Sequence, residues 1–241
     1  MSRPVSPTVV LVHGAFADAS SYARLIPELT AAGLEVVAPA VPNRSLVDDA
    51  AYIASVVRAI PGPVVLVGHS YGGAVITVAG TEDNVQALVY LAGYALEEGE
   101  SLGELQGRFP DSGLGDALVY TPFPVPGSDE TGTDVSVEVE RFPALFAADL
   151  DSELAAVLAV SQRPLAARAF TETAPVAAWK DKPSWGLVAT ADRTLNPEVE
   201  RYGYERAGMT TIEVDSSHLV MLAQPKAVAE LIQDVVRSTA H

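Results

Sequence analysis

Cysteine is absent from the 241 residues, which excludes disulfide frameworks, thiolate catalysis and Cys-ligated zinc. Basic residues are scarce, with 15 Lys and Arg against 31 Asp and Glu. The resulting formal charge of -16 argues against nucleic acid as a partner, because phosphate binding needs clustered Lys and Arg. Long apolar runs are missing too, since charged, Gly or Pro residues interrupt every stretch short of membrane-spanning length. Residues 1–7 hold one Arg and two prolines, and the apolar run after them is too short for a signal peptide. These absences lead to the expectation of a cytoplasmic protein with no membrane partner.

What is present is a hydrophobic content of 49%, enough for one large α/β domain that buries a two-sided sheet without disulfide or metal. Six strands are expected, buried ones at 8–12, 34–38 and 64–67 and three more at 85–91, 185–190 and 210–214. Helices are expected at 21–32, ending at Gly33, and at 45–60, with Ser45 as N-cap and Pro61-Gly62 as the stop. Further helices follow His69, Pro197 and Pro225. Strands alternating with helices imply a mostly parallel six-stranded sheet with helices on both faces. Residues 96–178 break the rhythm and are too many for a loop, so they read as an inserted helical cap on a core of 1–95 and 179–241. Most of the negative charge lies here, with fourteen acidic residues against two basic ones over 97–153. It reads as a solvating surface that includes Asp149 and Asp151, and the Pro-rich stretch 120–134 reads as mobile.

The most informative stretch is Val64-Val65-Leu66-Val67-Gly68-His69-Ser70-Tyr71-Gly72-Gly73. A buried strand runs into Gly-x-Ser-x-Gly and on into the apolar helix 74–79, the context of a nucleophile elbow. A bare connecting or phosphate-cradling turn is the bland alternative, but such loops carry Lys or more glycines.

A serine needs a base, and the base needs a carboxylate to orient it. Of the four histidines, His241 is terminal, His69 should point away from Ser70 and His13 ends the first strand. His218 follows the last strand at its carboxyl end and is the candidate base. Asp192, directly after the penultimate strand, completes the order Ser70, Asp192, His218, with Asp215 as a rival that more naturally caps its own loop. An oxyanion needs two N–H donors. Tyr71 supplies one, and Ala15 in His13-Gly14-Ala15-Phe16 the other, with Phe16 as the alternative donor and a candidate for the acyl pocket.

These motifs together resemble the α/β-hydrolases, and most closely the small bacterial esterases related to plant methyl-ester esterases and hydroxynitrile lyases. Val12 to Ser21, Gly68 to Ala74, Ala191-Asp192-Arg193 and Ser217-His218 match in order, and Gln162-Arg163-Pro164 with the run 178–185 extends the match. The resemblance implies catalytic roles for Ser70, Asp192 and His218 and oxyanion roles for Ala15 and Tyr71. Hydroxynitrile lyases of the plant type carry Thr where this chain has Gly14, and Lys where it has Leu219. A cyanide leaving group needs that cation, so ester hydrolysis is the expected reaction. Epoxide hydrolysis is disfavoured because it would require Asp at position 70. The expected protein is a serine carboxylesterase acting on a small-molecule ester, as monomer or homodimer, with no cofactor and no metal. A tailoring lyase, cyclase or isomerase using the same pocket is the alternative.

Overall fold

The computed structural model describes residues 6–125 and 127–239, so His241 and residues 1–5 of the N-terminal segment lie outside it. Strands β1 (Thr8–Val12), β2 (Val36–Val37), β3 (Val64–His69), β4 (Val85–Leu91), β8 (Ser184–Ala189) and β9 (Thr210–Val214) form one sheet. Its order is β2-β1-β3-β4-β8-β9, and every adjacent pair is parallel. Successive residues of a strand face opposite sides, yet all of β1 and β3 is buried, so both faces are covered. Each fully buried Val or Leu there contributes about 1.5–3 kcal/mol.

Helices α1 (Leu25–Ala31), α2 (Leu46–Ala59), α3 (Tyr71–Ala79), α7 (Pro197–Arg206), α8 (Val220–Ala223) and α9 (Pro225–Thr239) belong to this core. Ser45 caps α2 by accepting from the Asp48 N–H at 3.2 Å. On α9 the buried residues Val228, Leu231, Ile232, Val235 and Val236 recur at helical spacing, and this face meets α1. The helix expected at 21–32 is divided into a 3-10 turn, Ala19–Tyr22, followed by α1. Pro27 explains the division, because a helix starting at 21 would hold it in the interior, whereas α1 holds it in the first turn.

Between β4 and β8 the chain carries helix α6 (Ser152–Val160), in keeping with a helical insertion, and two shorter helices, α4 (Leu102–Gln106) and α5 (Phe142–Phe146). It also carries a three-stranded antiparallel sheet of β5 (Leu118–Pro124), β6 (Thr131–Val137) and β7 (Leu165–Ala166). The insertion is therefore mixed rather than purely helical, and much of the stretch expected to be mobile forms a hairpin. Pro122 and Pro124 misled because they lie on β5, an edge strand, where a missing N–H breaks no ladder on the open side. Among the described residues no helix is long and apolar enough to cross a membrane.

Candidate active site

The β3-to-α3 turn holds Ser70 at φ 54° and ψ -122°, a conformation that costs an L-residue roughly 1–3 kcal/mol. The surroundings enforce it. The Ser70 N–H donates to Leu91 O at 3.2 Å, and its carbonyl accepts from the N–H groups of Gly73 and Tyr94 at 2.9 and 3.2 Å. A Cβ on Gly72 would lie 2.2 Å from the Val12 carbonyl oxygen, and one on Gly68 2.4 Å from that of Gly72. The Ser70 side chain makes no capping bond to α3.

His218 Nδ1 meets Asp192 Oδ2 at 2.5 Å, with both side chains fully buried. A carboxylate accepts, so Nδ1 carries the proton and Nε2 presents a lone pair in the neutral ring. Nε2 is buried without a hydrogen-bond partner among the described residues. Asp192 Oδ1 accepts from the N–H groups of Thr194 at 2.7 Å and Leu195 at 3.0 Å, which fixes the carboxylate from its own loop. The structure thus pairs His218 with Asp192 rather than with Asp215.

Two further imidazoles lie near. His69 Nε2 donates to the His218 carbonyl at 2.9 Å, and its ring centroid is 4.6 Å from that of His218. His13 Nε2 accepts from the Val41 N–H at 2.9 Å, so its Nδ1 donates to Gly14 O at 2.9 Å. Burial holds both below the ordinary histidine value, His69 by far the more strongly, with His218 adding to the effect there.

The turn after β1 places Phe16 at φ 60°. Its ring meets Phe146 edge-on at 5.7 Å, and Phe146 meets His218 edge-on at 5.1 Å. A cavity of about 20 Å³ brings together Ala15, Phe16, Ser70 and Tyr71, four of the residues singled out from sequence. The insertion adds Leu102, Leu114, Phe146, Leu165 and Phe170, making the walls mostly apolar, with Ser70, Tyr71, Tyr94 and Thr194 as the polar residues among them.

Several buried or bonded acids here were not apparent from sequence. The Tyr71 hydroxyl donates to Asp49 Oδ2 at 2.7 Å, and burial raises the Asp49 carboxyl above its usual value. Asp149 is exposed, as expected of the acidic segment, yet its carboxylate also accepts from Ser216 Oγ at 2.9 Å, Ser217 N at 2.8 Å and Ser217 Oγ. Partial burial raises that carboxyl, but the serine bonds outweigh it and hold Asp149 below the usual range. Asp151 caps α6 and pairs with Arg24 at 3.0 Å across exposed surface. Glu200 is fully buried on α7. A signal for it existed in the spacing, since Val199, Glu200, Gly203 and Tyr204 form one buried stripe.

Among the described residues no group of three or more His, Cys, Asp or Glu side chains is arranged to hold a metal. A parallel sheet with a Gly-x-Ser-x-Gly elbow, and an Asp and a His at the ends of its last strands, is the α/β-hydrolase architecture. Residues 9–231 match the family described as Alpha/beta hydrolase family, and the chain belongs to it. It is 25% identical to "Probable hydrolase R7" of Phoma sp., covering 95% of this chain and 98% of that protein. Among solved structures it is similar to polyneuridine aldehyde esterase, with TM-score 0.83 and 19% identity over 96% of this chain and 99% of that one. It is likewise similar to tomato methylketone synthase I, with TM-score 0.81 and 18% identity over 98% and 99% of the two chains.

Proposed function

We propose that this chain is a serine carboxylesterase that cleaves small neutral carboxylic esters through an acyl-enzyme on Ser70. The observation that carries the reading is the His218–Asp192 pair at 2.5 Å, with a lone-pair Nε2 and a serine held in a strained elbow. In this reading Nε2 takes the Ser70 hydroxyl proton as Oγ attacks the ester carbonyl. The N–H groups of Ala15 and Tyr71, which have no backbone acceptor among the described residues, receive the oxyanion. His218 then protonates the departing alcohol, and a water activated at Nε2 releases the acid. Residues 96–178 act as the cap over the core 1–95 and 179–241, and Phe16 lines the acyl side.

The mostly apolar walls suit a neutral acyl group. Leu219, which is buried, and Gly14 place no cation or hydroxyl where a cyanohydrin-cleaving site would need them. The test pairs hydrolysis of p-nitrophenyl acetate and octanoate with labelling by a fluorophosphonate probe. Turnover of the acetate, labelling at Ser70 and loss of both in Ser70→Ala are expected. Turnover that survives Ser70→Ala would overturn the assignment. Absence of both turnover and labelling in the unaltered protein would favour the lyase, cyclase or isomerase alternative.

A further inference from the structure

Glu200 is the one fully buried acid among the described residues that the steps above leave without a task apart from the partner of Tyr71. It projects from α7 toward the end of β8, where its Oε2 accepts the Ala189 N–H at 3.0 Å. Its other oxygen, Oε1, is buried and accepts from no donor among the described residues. Asp192 is tied to the same residue, since Ala189 donates its N–H to Glu200 Oε2 and its carbonyl accepts from the Asp192 N–H at 3.2 Å. Two buried carboxyl groups so placed cannot both be ionised without strong repulsion, so one of them holds a proton. Asp192 already accepts from three N–H groups, those of His218, Thr194 and Leu195, whereas Glu200 accepts from one. The proton therefore resides on Glu200, where it also turns an unsatisfied buried oxygen into a donor.

We propose that Glu200 is a neutral positioning acid that donates its proton to Asp192 and so holds, and partly neutralises, the carboxylate that orients His218. The proposal rests on the reading of Asp192 and His218 as catalytic partners, and it adds a residue acting one step behind them. Burial and the neighbouring Asp192 push the Glu200 carboxyl well above the ordinary range, consistent with a neutral group. The other groups facing it are the hydroxyls of Tyr204 and Tyr94 and, more weakly, the Arg201 guanidinium. Among the described residues no cation is bonded to it that would favour the ionised form.

Two variants and one spectrum test this. Glu200→Gln keeps a carbonyl for the Ala189 N–H and an N–H for Asp192, while Glu200→Leu removes both. With a neutral Glu200, the rate of fluorophosphonate labelling against pH should have the same acid limb in Glu200→Gln as in the unaltered protein. In Glu200→Leu, Asp192 bears its full charge, so the acid limb should move up by about one pH unit and the maximal rate fall about tenfold. A limb that moves down in Glu200→Gln would mean that an ionised carboxylate had been removed, and would overturn the proposal. A Leu variant that folds and labels like the unaltered protein would overturn it as well. Infrared difference spectroscopy of the unaltered protein against Glu200→Gln should show the C=O stretch of a protonated carboxyl at neutral pH, and its absence overturns the proposal. That band is read without substrate or probe, so it decides the state of Glu200 even where Ser70 proves inert and the esterase reading fails.

Discussion

The Nε2–H of His69 donates to the main-chain carbonyl of His218 at 2.9 Å, so the residue before the elbow serine holds the loop bearing its candidate base. The strand that delivers Ser70 and the loop that delivers His218 are 149 positions apart along the chain, and this bond is a direct tie between them. His69 Nδ1 is buried without a partner among the described residues, which leaves the single bond through Nε2 to justify an imidazole in an apolar setting.

Replacing His69 by Phe retains an aromatic ring but strips the His218 carbonyl of its donor. An unsatisfied buried carbonyl costs about 1–3 kcal/mol, which urea unfolding should register. Labelling of Ser70 should slow by about tenfold, because a shift of the loop misaligns Nε2. A variant that loses stability and labels at the original rate would show that His69 serves packing alone.

The same histidine, with His13, makes the fold sensitive to mild acid. Both are held below the ordinary histidine value of 6.5 by burial, so in the folded protein they resist protonation that the unfolded chain accepts. Between the lowered folded values and 6.5 the unfolded state binds more protons, and stability therefore rises with pH and is lost as pH falls below 6.5. Each histidine contributes at most about 1.4 kcal/mol per pH unit in that window. Urea midpoints measured from pH 7.5 to 5.5 should fall, and less steeply in His69→Phe. A midpoint independent of pH over that range would contradict the assignment of both rings as neutral.

Gly14 separates damage to the site from damage to the fold. A Cβ added there would lie 2.8 Å from Ser70 Cβ and 3.0 Å from the His69 carbonyl oxygen. Gly14→Ala should therefore push on the elbow itself, lowering Ser70 labelling by about a hundredfold while costing about 1–3 kcal/mol of stability. Gly14→Thr should cost more in both respects. Labelling of Gly14→Ala at the original rate would show that the turn yields without moving Ser70.

Much of this site was legible in sequence for a local reason. The elbow is written in ten consecutive residues, and His218 and Asp192 each follow a strand whose carboxyl end had to face Ser70. The hairpin β5–β6 was not legible, because prolines on an edge strand look like loop. Pro27 divided a helix whose apolar pattern ran on through it. Glu200 reads as a solvated helix residue unless its place on the Val199–Tyr204 stripe outweighs its charge. The role of Asp149 was hidden most completely, since its partners Ser216 and Ser217 lie 67 and 68 positions away and only the folded insertion brings them together.

That contact gives the last prediction, which concerns how the insertion governs the core. Asp149 binds both serines before His218, while the Phe146 carbonyl accepts from the Leu219 N–H at 3.2 Å. Nearby, the Leu145 carbonyl accepts from Thr194 Oγ1 at 3.0 Å, two residues past Asp192. Residues 145–149 thus brace both loops that hold the His218–Asp192 pair, so a change in the insertion is felt at the candidate base without touching it. Asp149→Asn keeps one acceptor oxygen but loses the charge and exchanges the other oxygen for a donor, while Asp149→Ala removes the brace altogether. Labelling of Ser70 should fall about threefold in the first and about tenfold in the second, since bonds to a charged acceptor are worth about 1.5–3 kcal/mol when buried and less at an exposed site. The Asp149 carboxyl is held below 3.8, so its contribution is present above that value and is lost as pH falls through the lowered folded one. The stability difference between Asp149→Ala and the unaltered protein should consequently be constant from pH 8 to 5 and shrink only at stronger acid. Equal labelling rates in all three proteins would show that the insertion covers the site without bracing it.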